Sequence, residues 1–233
     1  MKKQITFKDK IKMLLWRLKL RPTIPACFIN NIKINENNEP LVDIKNDSTL
    51  YFSDELLERP AVLLRKSVYQ KIKIAQTFLP DNYYFKIYSA LRLLEEQTAL
   101  WQKEYHKIKK SHPTLFEEQL IIKTKAVCAD PRFGFGGHQT GGAVDISLCN
   151  KNQKEYDMGT LYTQISSKTP TKAKGLTQTQ KKNRFILINV MEKAAFINYP
   201  NEWWHFCYGD RMWAAYSKRK ECCYGIIQTN TLS

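Results

Sequence analysis

The sequence predicts a single α+β domain, a small and mostly antiparallel sheet flanked by helices. Three observations carry that expectation. Apolar residues recur at helical spacing over several long stretches, and short β-branched and aromatic runs lie between them. The two kinds of segment mix without the regular βαβ alternation of a parallel sheet. With 233 residues, 43% hydrophobic and 12% aromatic, the chain can bury a core without staples. Its 9 Gly and 9 Pro exclude collagen and low-complexity disorder, and no internal repeat or linker is visible.

The elements follow in chain order. Phe7, Ile11, Leu14, Leu15 and Leu18, with lysines between them, predict a basic amphipathic helix over 7–20. Its apolar stripe is expected to pack on the domain, with a membrane-surface role as the alternative. Arg21-Pro22 and Pro25 end it, and an Asn-rich stretch precedes a short strand at Leu41 to Ile44. Residues 1–39 are therefore read as an N-terminal helix and extension packed on a domain formed by residues 40–233. Leu64, Val68, Ile72, Ala75 and Leu79 predict one helix over 61–79, with Pro60 near its first turn and Pro80-Asp81-Asn82 as its stop. Tyr83 to Ser89 reads as a strand and Leu93 to Ile108 as a second long helix. Thr114 with Glu117 forms a capping-box pattern for a helix through Ile122, and Thr177 with Gln180 repeats it before a helix ending at Phe196. Strands are expected around Trp204 to Tyr208 and near the C-terminus.

The 37 Lys+Arg against 22 Asp+Glu give a net charge of +15, but the cations are scattered, so charge alone ranks no partner. The runs Lys107 to Lys110 and Lys218 to Lys220 have no aromatic ladder beside them and read as solvated surface, with no nucleic-acid partner expected. Six cysteines (Cys27, Cys128, Cys149, Cys207, Cys222 and Cys223) form no CxxC pair, which suggests free thiols in a reducing compartment. Lysines interrupt what would be the apolar core of a leader after Met1-Lys2-Lys3, and no 18-residue apolar run exists. The expectation is a soluble, cytoplasmic protein without stable membrane insertion.

Two contexts could carry chemistry. In Gly136-Gly137-His138-Gln139-Thr140-Gly141-Gly142-Ala143-Val144-Asp145, the second glycine pair permits a sharp turn. Strand alternation then sets Val144, Ile146 and Leu148 against Ala143, Asp145 and Ser147. The turn can bring His138 back toward Asp145. In Glu202-Trp203-Trp204-His205, a potential base sits three residues before a potential ligand. Two histidines and a carboxylate leave a fourth zinc position open, as catalytic zinc requires. One difficulty stands: residues three apart on a regular strand face opposite sides, so Glu202 must occupy a turn or bulge. Cys207 keeps a closed structural site of His138, Asp145, His205 and Cys207 in play, although structural zinc favours several thiolates at short spacing. His106 and His112 are expected to be solvent-exposed.

His138-x6-Asp145 joined to Glu202-Trp203-Trp204-His205 resembles the zinc-dependent D-alanyl-D-alanine dipeptidases, relatives of the D,D-carboxypeptidases with a Hedgehog-type peptidase fold. The resemblance extends through Leu41-Val42-Asp43, Leu64-Arg65, Ile87-Tyr88, Arg92, Gln97, Ala129-Asp130-Pro131, Asp157-Met158-Gly159-Thr160 and Asn183-Arg184 to Pro200. It implies one zinc held by His138, Asp145 and His205, Glu202 as general base, and Arg92 stabilising the transition state, in a catalytic domain over 40–233. The implied reaction is hydrolysis of D-alanyl-D-alanine, a small dipeptide substrate. The alternatives are a D,D-carboxypeptidase acting on peptidoglycan stem peptides and a non-catalytic basic binding protein on the same fold. The chain departs from the family pattern in three places. It has Gly136-Gly137 before the first histidine, Leu93 where the family has Pro, and Leu161-Tyr162-Thr163 after Thr160.

Overall fold

A computed structural model describes residues 4–133 and 136–228. The helices are α1 (Phe7–Arg17), α2 (Ala26–Asn30), α3 (Asp54–Leu57), α4 (Lys66–Gln76), α5 (Leu94–Ser111), α6 (Glu117–Lys125), α7 (Gln178–Lys193) and α8 (Arg211–Tyr216). The strands are β1 (Lys33–Ile34), β2 (Leu41–Asp43), β3 (Tyr51–Phe52), β4 (Leu63–Arg65), β5 (Tyr84–Ser89), β6 (Ala143–Cys149), β7 (Ile197–Asn198), β8 (His205–Cys207) and β9 (Glu221–Cys222).

A five-stranded sheet of order β3-β5-β6-β8-β7 organises the molecule. Its pairs are antiparallel except β3 with β5, so the expected mixed α+β architecture holds. Period-two alternation sorts each strand between two faces. Phe85 and Ile87 of β5, Val144, Ile146 and Leu148 of β6 and Phe206 of β8 enter the larger core, against Val68, Ile72 and Ala75 of α4 and Leu187, Val190 and Met191 of α7. On the other face, Ala143 and Cys207 join a second cluster with Ile24, Ile29, Met212, Trp213 and Cys222. Asp145 and His205 share that second face. Because β6 is central, all seven of its residues are buried, and the face carrying Asp145 is covered as fully as the apolar one.

Local sequence explains where the expected elements fall short. The long helix expected over 61–79 begins only at Lys66: Leu63 to Arg65 pair antiparallel with Leu41 to Asp43 instead. Leu64 is fully buried in that strand, so it matched the helical spacing without belonging to the helix. The cap of α6 is Phe116, whose N–H donates to Gln119 Oε1 at 3.1 Å, not Thr114. The Thr177 box is formed at both bonds, Gln180 N–H to Thr177 Oγ1 at 3.2 Å and Thr177 N–H to Gln180 Oε1 at 3.0 Å. In α1 the domain is touched by Met13 and Trp16. The stripe from Phe7 to Leu18 that was expected to pack is exposed. All six cysteines are free thiols, and among the described residues no helix is long and apolar enough to cross a membrane.

Candidate metal centre and catalytic site

Three elements converge on the second face of the sheet. A single turn of 3-10 helix, Gly137–Thr140, carries His138 and ends at Gly141, whose φ of 68° is the left-handed conformation that favours glycine. That reversal feeds the chain into β6, where Asp145 lies directly opposite His205 of β8. His138 Nε2 and His205 Nδ1 approach the same Asp145 Oδ1, at 3.2 and 2.9 Å. The two rings meet edge to face with centroids 4.9 Å apart. Among the described residues, His138, Asp145 and His205 form the cluster able to hold a metal ion, with one donor atom of each within 4.8 Å of the others. Cys207 is outside it, its thiol set against the Ile197 carbonyl at 3.7 Å, which removes the closed four-ligand arrangement.

The donors are already oriented. His138 Nδ1 lies 2.9 Å from the Ala90 carbonyl, which fixes the N–H on that nitrogen and turns the Nε2 lone pair toward the cluster. Tyr162 Oη–H donates to Asp145 Oδ2 at 3.0 Å, which leaves Oδ1 for the imidazole side. Burial acts against charge on Asp145, yet the two imidazoles hold its carboxyl well below the usual range. Burial lowers His138 and favours the neutral ring that a metal needs. Two imidazole nitrogens and one carboxylate oxygen, buried and converging, fit a zinc ion with one position left open.

Glu202 resolves the spacing difficulty noted in the sequence. The Glu202 N–H bonds the Tyr199 carbonyl at 3.0 Å and the His205 N–H bonds the Glu202 carbonyl at 3.3 Å, so residues 199–205 make consecutive turns before β8. This is the turn that the sequence required. Burial pushes the Glu202 carboxyl up to about 7, with His205, Asp145 and Arg92 as the charges that it feels. Such a carboxyl can both accept and return a proton near neutral pH.

Arg92 follows β5 and is half-buried. Its Nη1–H donates to Gln97 Oε1 at 3.0 Å, its Nη2–H to Ser89 Oγ at 2.9 Å, and its N–H to the His138 carbonyl at 3.2 Å. A register shift between Ile87 and Ser89 places Ser89 opposite Asp145, a β-bulge of the kind that re-aims side chains beside active sites. Gln97, held by the Ala129 carbonyl at 2.7 Å, is the post on which the guanidinium rests. His106 and His112 lie exposed on and after α5 and are not members of the cluster.

Sequence reasoning named Tyr162 only as a departure. The structure stacks it on Tyr88 at 4.5 Å and sets it edge-on to Trp204 at 5.6 Å. The segment leading to it is anchored from α7. Gln180 Nε2 bonds Asp157 Oδ2 at 2.9 Å, Asn183 Nδ2 bonds the Asp157 carbonyl at 2.9 Å, and Arg184 Nε bonds the Met158 carbonyl at 2.7 Å. Trp203 Nε1–H closes the loop on Thr160 Oγ1 at 2.8 Å. The glycine departure also has a physical cause. A Cβ on Gly137 would lie 2.5 Å from Asp210 Oδ2 and 2.8 Å from Ala143 Cβ.

With this geometry in place, comparison with known proteins is decisive at the level of family. The sequence profile of Peptidase_M15, described as D-ala-D-ala dipeptidase, matches residues 61–224. The chain belongs to that family. It is 34% identical over 109 residues to a D-alanyl-D-alanine dipeptidase of Synechocystis sp. (strain ATCC 27184 / PCC 6803 / Kazusa), a match covering 39% of this chain and 44% of that protein. It is 23% identical over 125 residues to a D-alanyl-D-alanine dipeptidase of Escherichia coli (strain K12), covering 52% of each. The matched part of the chain thus spans about half the length of the curated relatives. A structure of VanYB in complex with D-alanine-D-alanine aligns with a TM-score of 0.46 at 18% identity, covering 75% of this chain and 79% of that one.

Proposed function

We propose that this member of the family is a zinc metallopeptidase that hydrolyses D-alanyl-D-alanine to D-alanine. In this reading His138, Asp145 and His205 hold the metal, Glu202 is the general base and Arg92 binds developing negative charge. The observation that carries it is Glu202: a half-buried residue whose carboxyl is raised by desolvation to about 7, on consecutive turns that lead into His205 of the three-donor cluster. A purely structural metal site has no use for such a group.

Zinc held by His138, Asp145 and His205 would supply Lewis acidity, which polarises a carbonyl and lowers the pKa of water toward about 7. The residues do the rest. Glu202 accepts the proton of the attacking water and delivers it to the leaving amine. Arg92, its fork held by Gln97 and Ser89, is pre-aimed and needs little reorganisation when the carbonyl oxygen becomes negative. Tyr162, bonded to Asp145 and backed edge-on by Trp204, covers the carboxylate, and charge interactions strengthen where such cover lowers the local dielectric. The names of the curated relatives favour the free dipeptide over a stem peptide as substrate.

The discriminating experiment offers the zinc-loaded protein D-Ala-D-Ala, L-Ala-L-Ala and a stem peptide ending in D-Ala-D-Ala. Turnover of the free D,D-dipeptide well above the other two is expected. Preferential trimming of the stem peptide would make it a D,D-carboxypeptidase, and no turnover of any of them would leave a binding protein.

A further inference from the structure

Helix α1 has two apolar sides, of which the domain uses one. At 100° per residue, Met13 and Trp16 fall on the inner side with Asp9. Met13 and Trp16 pack on the second cluster, and Trp16 meets Tyr216 edge to face at 6.1 Å. Asp9 is committed to the capping box of Thr6, accepting from the Thr6 hydroxyl at 2.6 Å and its N–H at 3.2 Å. On the outer side Phe7, Ile11, Leu14, Leu15 and Leu18 fall within an arc of about 100°. They stay 78%, 44%, 54%, 36% and 58% exposed. Lys10 and Arg17 run along one border of that arc and Lys8 and Lys12 along the other.

We propose that the outer face of α1 docks this protein on an anionic phospholipid surface. An apolar arc bordered on both sides by long cations is the arrangement that lies in a bilayer interface: the apolar side chains enter the acyl boundary while Lys and Arg stems extend to the headgroups. Charge points the same way. Residues 4–21 hold six cations (Lys8, Lys10, Lys12, Arg17, Lys19 and Arg21) against one acid, Asp9, and that acid faces inward on the capping box. A second copy docking through the same face would bring these lysines against their own images, and like charges at close range oppose that pairing. The helix has 11 residues, too few to span a bilayer, so it lies on the surface.

The test is co-sedimentation of the full chain with vesicles of phosphatidylcholine mixed with phosphatidylglycerol, beside vesicles of phosphatidylcholine alone. Binding is expected to the mixed vesicles only, and to weaken with added salt. The double variant Leu14→Glu with Leu18→Glu should lose binding while keeping its circular-dichroism spectrum and melting temperature, since both side chains are exposed. Lys10→Gln and Arg17→Gln should each lower partitioning about fivefold, the effect of one cation at an anionic surface. Wild-type protein left in the supernatant of the mixed vesicles overturns the proposal. So does equal binding by the Leu14→Glu, Leu18→Glu variant, or a concentration-dependent dimer of the wild type that this variant abolishes, which would assign the face to a second copy.

Discussion

At the scale of single residues, the site rests on groups that reach one another only through the fold, and each makes a separable prediction. Arg92→Ala should fold, keep its metal and lose about 10²–10³ in kcat, the effect of removing one donor from developing charge. Arg92→Lys should recover little, because a point ammonium cannot rest on both Gln97 and Ser89. Steady-state kinetics with metal content measured alongside checks both. Tyr162→Phe removes the hydrogen bond to Asp145 Oδ2 and should weaken zinc binding by about 10–100-fold, read by competition with a chromogenic chelator. His138 and Asp145 were legible in the sequence because a glycine turn and strand alternation brought them to one side. Glu202 was legible as a candidate, and its turn was foreseen as a requirement. Tyr162 was not: it arrives on a loop 17 residues beyond Asp145, anchored by an α7 whose inward polar residues, Gln180, Asn183 and Arg184, carry no periodic signal that names their target.

At the scale of elements, amphipathic periodicity found the helices that bury one face, and it failed where a strand residue happened to keep the helical phase. Leu64 is that case. Whether Leu63 to Arg65 form a strand is decided by Leu41 to Asp43 across the β2 to β4 pair, and no local pattern contains that partner. Capping was read correctly at Thr177, where both bonds of the box are local, and misplaced by two residues at α6. The loop between β2 and β3 shows how a single carboxylate ties elements together. Asp47 accepts from the Tyr69 hydroxyl and from Lys73 of α4, each at 2.9 Å, and from the Thr49 N–H at 2.9 Å. Burial opposes its charge, but these donors hold its carboxyl well below the usual carboxylate range. A folded-state value below the unfolded one means that the stabilisation is complete above about pH 4 and is lost as pH falls through the folded value. Asp47→Asn should cost about 2 kcal/mol at neutral pH, and the gap to wild type should close progressively below about pH 4. Urea unfolding of both proteins across that range measures it, and a gap that stays constant to low pH would refute the role.

At the scale of the whole molecule, the α+β class and the mostly antiparallel sheet were legible because the segments mix without βαβ rhythm. The sheet then does one thing for function: its apolar face closes the larger core, and its other face presents Asp145 and His205 to a turn that brings His138 over them. The excess of 15 positive charges does not enter this site, whose members are two imidazoles, two carboxylates and one guanidinium. The proposed chemistry therefore belongs to the site alone, and in that proposal Glu202 is the group that moves the protons. Steady-state hydrolysis of D-Ala-D-Ala by wild type, Glu202→Ala and Glu202→Gln, each checked for equal zinc content, probes that role without an intermediary. Zinc content and dipeptide affinity should be unchanged while turnover falls by about 10²–10⁴ in both variants, the range for loss of a general acid–base group. Wild-type turnover in either variant at full zinc occupancy would take proton transfer away from Glu202.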